Sequence, residues 1–165
     1  MDIRGGMMAK WKFEGLDKYI EYLRKLDAES DEMIRHAVYN GAGVVADRVR
    51  HSINGIRVDD SHGKKMKSGP TTQQKNGLIS GFGISRMQNE DGYVNVHLGF
   101  AGRNGRKSKK RAQAEANITV ARNVESGTPW MAKQPFMRKA VNAAKKECEQ
   151  VMADTLDSEI KKITP

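Results

Sequence analysis

The chain has 165 residues and carries 29 Lys and Arg against 20 Asp and Glu, a formal net charge of +9. That length suits one domain spanning 1–165, and 38% hydrophobic with only 6% aromatic residues implies a core of aliphatic side chains, Ala and Met. The single cysteine, Cys148, excludes an internal disulfide and a cysteine-built zinc site, as suits a reducing cytoplasm. No apolar run is long enough to span a membrane, and no apolar signal core opens the chain. The basic balance points to an anionic partner or, equally, to a solvated basic surface.

Residues 1–10 read as a flexible arm. Trp11 to Glu14 alternates apolar and charged, as a short strand does, and Gly15 ends it. Leu16, Tyr19 or Ile20, Leu23 and Leu26 recur at helical spacing. Ser30, followed by Asp31 and Glu32, reads as the N-cap of a second helix running to about Ser52. Its expected apolar face runs from Met33 and Ile34 through Ala37, Val38, Gly41, Val44 and Val45 to Val49. The glycines Gly41 and Gly43 each weaken a helix by about 1 kcal/mol relative to Ala, so they mark either close approach of another element or a weak point.

Residues 53–69 have no periodicity and read as a mobile basic loop containing Lys64 and Lys65. Thr71 is the expected cap of a short helix to about Ile79. Gly83 to Gln88 and Tyr93 to Phe100 read as two strands joined through Asn89-Glu90-Asp91-Gly92, a hairpin signal. In the second run Val94, Val96 and Leu98 are expected on one face. Residues 102–111 hold six positive charges and no acid, on Arg103, Arg106, Lys107, Lys109, Lys110 and Arg111, and read as a second mobile basic loop. Ala112 to Val124 fits a helix or a strand. A turn-rich bend follows, and then Pro135, a good first helical residue, opens a helix of about 28 residues whose apolar stripe runs from Phe136 to Ile160. The resulting fold class is α+β: a small antiparallel β-sheet packed with two N-terminal helices and a long C-terminal helix.

Catalytic patterns are weak. His36, His51, His62 and His97 stand in no metal-ligand spacing, and no phosphate-loop pattern occurs. Gly77, Gly81 and Gly83 read as loop and bulge glycines. Asp59 and Asp60 with Lys64 and Lys65 have the composition of a metal-dependent nuclease site, but on a loop they lack a rigid base. Cys148 falls on the apolar stripe and reads as a structural thiol. The sequence therefore predicts no enzyme activity, no cofactor and no metal site. The Arg103–Arg111 run suits either a sequence-independent phosphate contact or a loop that orders against an acidic neighbour. It contains no aromatic for stacking on bases.

Val124-Glu125-Ser126-Gly127-Thr128, a short link, and then Gln134-Pro135-Phe136-Met137-Arg138-Lys139-Ala140 resemble the signature of the long-tailed-phage neck family of tail-completion and head–tail joining proteins. Phe13 to Asp17, the Leu23–Leu26 helix, and the helix holding Ala42, Val44, Val45 and Ala46 resemble that family's opening. Ser126 departs from its usual aromatic, and residues 102–111 look like an insertion. Within the motif Gly127 suits a positive φ, Pro135 stiffens the link and Phe136 anchors the last helix. Glu125 caps a helix, pairs with a base or lies on the surface.

The resemblance implies a structural subunit of a homo-oligomeric ring, a hexamer. Its expected place is the neck, between the head connector or adaptor and the tail tube or terminator. Such a protein is made in the host cytoplasm and incorporated into a virion or phage-tail-like particle. Lys64, Lys65, Arg103, Arg106, Lys107, Lys109, Lys110 and Arg111 are then candidates for facing neighbours, or DNA in the lumen. The alternative from charge is a small basic nucleic-acid-binding module.

Overall fold

A computed structural model describes residues 16–62, 66–90, 93–105 and 113–163. It contains α1 (Leu16–Asn54), α2 (Thr72–Gly81), β1 (Phe82–Ile84), β2 (Gln88–Glu90), β3 (Tyr93–Asn95), β4 (Leu98–Phe100), α3 (Asn117–Ser126) and α4 (Met137–Ile163). The class is α+β with a long C-terminal helix, as the sequence predicts. The expected opening strand, Trp11 to Glu14, and the arm at 1–10 lie outside the described residues.

The two expected N-terminal helices are one helix of 39 residues. Ser30 does not cap a second start. Its hydroxyl donates to the carbonyl of Asp27, three residues back, at 2.8 Å, and so satisfies itself inside a continuous helix. Burial of Met33, Ala37, Ala42, Ala46, Val49 and Ile53 supplies the reason for continuity. Packing of an apolar stripe outweighs a favourable capping sequence.

That stripe meets α4, which runs antiparallel to α1. The His36 ring nitrogen Nδ1 lies 3.5 Å from Glu159, the Asn40 amide donates to the Thr155 hydroxyl at 3.2 Å, and Arg48 pairs with Glu147 at 3.2 Å. Each step along α1 matches an equal backward step along α4. At 1.5 Å per residue α1 is about 58 Å long and α4 about 40 Å. Carrying the register on puts Ile163 opposite Glu32, so residues 16–31 run past the end of α4 by about 24 Å. At Gly41 a Cβ would lie 2.6 Å from Met152 Cγ and 3.0 Å from Cys148 Sγ, so this glycine is where α4 comes close. Gly43 has nothing within 4 Å of that position and carries only the propensity cost.

The core gathers where α1 ends. Val49, Ile53, Ile56, Leu78, Phe82, Val120, Val124, Phe136 and Ala140 form one buried cluster. Phe100 links two of its rings, 5.2 Å from Phe82 and 6.0 Å edge-on from Phe136. Thr71 caps α2 through a capping box with Gln74. Gly77 and Gly81 belong to α2 and Gly83 to β1, not to loops or bulges. A Cβ at Gly77 would stand 2.6 Å from both Asn104 Cβ and Asn117 Oδ1, so its job is to let a neighbouring segment approach.

The hairpin is real but interrupted. β1 pairs antiparallel with β4, Ile84 opposite Leu98, and β2 with β3, Gln88 opposite Asn95. Three residues separate the ladders on the first strand and two on the second, so the first carries one extra residue, a β-bulge. Ser85 bridges it. Its N–H donates to the His97 carbonyl at 2.7 Å, and its hydroxyl accepts the His97 N–H at 2.9 Å. Val94, Val96 and Leu98 are each half-buried and His97 between them is exposed. The open choice for 112–124 resolves into an isolated bridge between Arg103 and Ala116, followed by α3.

Candidate functional site

The end of the molecule around the core is a head built from the described residues of 53–136. By sequence the whole segment 53–136 holds fourteen Lys and Arg against six Asp and Glu, a net of +8. The rest of the chain holds fifteen against fourteen, a net of +1. The described acids of the head largely serve as acceptors of structural hydrogen bonds.

Glu125 is the first example. One carboxylate oxygen accepts the N–H groups of Phe136 and Met137, each at 2.8 Å. The other accepts Arg138 N–H at 3.2 Å. Three otherwise orphaned donors at the start of α4 are thereby satisfied from α3. Gly127 caps α3 at φ +77°, where its N–H reaches the Asn123 carbonyl at 2.8 Å. Pro135 stands two residues before the first helical residue of α4, rather than at it, because the Glu125 cap sets the start. Phe136 is buried in the core. Glu125, Gly127, Pro135 and Phe136 thus form one junction that seats α4 on the head.

Gln134, which composition does not mark as special, is a latch. Its amide donates to the carbonyls of Arg57 at 3.0 Å and Ser68 at 2.8 Å and accepts Arg57 N–H at 2.9 Å. Its own N–H donates to the Val124 carbonyl.

The described part of 53–69 carries several side-chain hydrogen bonds. Asp59 accepts Ser61 N–H at 3.0 Å and Ser68 N–H at 2.8 Å. Asp60 accepts the Thr72 hydroxyl at 2.5 Å and the Thr72 N–H at 2.9 Å. Hydrogen bonds from Ser61 and Ser68 hold the Asp59 carboxyl well below the usual carboxylate range. The Thr72 hydroxyl, then its N–H, lowers Asp60. Carboxylates so occupied brace the start of α2. Among the described residues no three His, Cys, Asp or Glu side chains gather as a metal site would require.

Arg103 is the described member of its basic run. Its guanidinium donates to the Ala114 carbonyl, stapling the two sides of the segment rather than standing free. Lys64, Lys65, Arg106, Lys107, Lys109, Lys110 and Arg111 lie outside the described residues. Lys75 turns back on the end of α1, donating to the Asn54 and Ile56 carbonyls at 2.7 and 3.0 Å. Cys148 is half-buried beside Met152, and burial pushes its thiol pKa up, as for a structural cysteine.

What the sequence does not reveal is a groove of about 520 Å³ between the end of α1 and the start of α4. Arg57, Lys133 and Lys139 line it and make no ion pair among the described residues. Arg57 is far in sequence from Lys133 and Lys139, which sit close together on one segment, so no local charge run announces the three. No helix among the described residues is long and apolar enough to cross a membrane. No family model, curated protein or solved structure matches the chain.

Proposed function

We propose that this chain is a non-enzymatic subunit of an oligomeric ring, a hexamer, in the neck of a long-tailed phage or phage-tail-like particle. The carrying observation is that Glu125, Gly127, Pro135 and Phe136, which bear the resemblance to neck proteins, fold as one junction fixing the long helix to the head. They serve architecture, and so do the aspartates that would otherwise suggest a nuclease. In such a ring the basic head contacts the connector, the tail tube or terminator, or DNA in the lumen. A phosphate contact there is sequence-independent.

The test is the native mass of the full chain, alone and mixed with tube and connector proteins encoded beside it. Ring-sized species, or entry into a joint complex, are the expected outcome. The net charge of +8 over residues 53–136 also favours a second reading, a small nucleic-acid-binding module. A chain that stays monomeric with those partners yet binds duplex DNA with steep salt dependence would select that reading and reject the ring.

A further inference from the structure

The most exposed of the large apolar side chains described are Trp130, at 75%, and Met66, at 61%. Both lie at one place on the head. Lys67 N–H donates to the Trp130 carbonyl at 2.9 Å, Ala132 N–H donates to the Lys67 carbonyl at 2.8 Å, and Lys67 bridges Met131 in parallel. Met66 and Trp130 therefore stand at the same end of one bridge. Two and three residues on, Ala132 and Lys133 form part of the wall of the groove lined by Arg57 and Lys139. Trp, Met and Arg are the residue types enriched where proteins bury surface against one another. A lone Trp suits duplex DNA poorly, because its bases are already stacked, and single strands are held by a series of aromatics.

The opposite character appears on α1. Asp27, Glu29, Asp31 and Glu32 are exposed, four acids in six residues with no base among them. Glu32 also meets the His36 ring at 3.2 Å. Ile34, 42% exposed, and Tyr39, 54% exposed, follow within two turns. At helical spacing Asp27, Asp31, Ile34 and Val38 fall along one stripe.

We propose that the Trp130–Met66 surface and its basic groove form a contact between copies of this chain, and that the occupant is the Asp27–Tyr39 stretch of α1 from a second copy. Charge complementarity selects this partner: acids followed by apolar residues on α1 face bases beside apolar residues on the head. Because the two patches differ, the contact is heterologous, and such contacts close into rings when the rotation permits. The inference rests on the ring reading above and names its interface.

The experiment follows self-association of the full chain by sedimentation over a concentration series. Trp130→Ala, a change at an exposed side chain, is expected to keep the circular dichroism spectrum and weaken association at least about tenfold. The acid-patch variant Asp27→Lys/Asp31→Lys and the base-patch variant Lys133→Glu/Lys139→Glu should each weaken it, and combining all four should restore it. Wild-type assembly by Trp130→Ala would remove the surface from the interface and leave the ring reading standing. Losses in both patch variants without mutual rescue would reject α1 as the occupant. A wild-type chain that stays monomeric alone and with tube and connector proteins would overturn the ring reading, and this interface with it.

Discussion

Glu125 shows how one side chain joins two helices. Its carboxylate accepts three backbone N–H groups from the first turn of α4 while its own backbone belongs to α3. Glu125→Ala should cost about 1–2 kcal/mol, the range for loss of a strong N-cap. Glu125→Gln keeps one good acceptor and should cost less. Urea midpoints of the three proteins check the order, and equal midpoints would mean water replaces the cap at no cost. The sequence leaves Glu125 open between cap, ion pair and surface residue, because a cap reaching back eleven residues has no local spacing rule. The positive φ of Gly127, by contrast, is legible from the turn-rich run around it.

At the scale of elements, the stretch after α1 is closed on itself by Asp59 at Ser68 and clasped to the start of α2 by Asp60 at Thr72. Both carboxyls titrate below their ordinary range, Asp59 through Ser61 and Ser68 and Asp60 through Thr72. A carboxyl whose folded pKa is depressed contributes stability that is fully present above its unfolded value, about 4. That contribution is lost as pH falls through the lower folded value. Protection of the Ser68 and Thr72 amides against exchange should therefore persist at pH 5 and disappear only well below about pH 4. Hydrogen exchange across an acid series measures this, and protection unchanged down to the lowest pH would show that the aspartates are not what holds the segment. The clasp is illegible in a run of Asp, Ser, Gly and Lys, which composition alone assigns to a mobile loop. The Thr71 cap and the hairpin are legible, because caps and turns are local. The bulge at Ser85 is not, since it depends on the count of residues in two strands at once.

For the whole molecule, charge is segregated along the sequence: a net of +8 over residues 53–136 and of +1 over the rest. Arg106, Lys107, Lys109, Lys110 and Arg111 supply five of those charges. Deleting all of 103–111 would also remove Arg103, which staples Ala114, and Asn104, which is buried against α2, so the clean test spares both. On the proposed neck role, changing the five later bases to Ser should leave the thermal midpoint in place and weaken head–tail joining in a complementation assay. Normal joining would assign them to solvent. The same substitution should flatten the salt dependence of any DNA binding, since the slope falls by about 0.9 for every phosphate no longer neutralised.

Composition and periodicity by themselves determine the α+β class, the short capped α2, the hairpin and the long apolar stripe of α4. Each of those follows from residues within a few positions of one another, where backbone geometry sets the pattern. The union of two expected helices into α1, the antiparallel register with α4, the Gln134 latch and the groove of Arg57, Lys133 and Lys139 belong to the tertiary structure. They arise because burying an apolar stripe on a distant partner outweighs local capping preference. The same packing brings together side chains that no spacing rule connects.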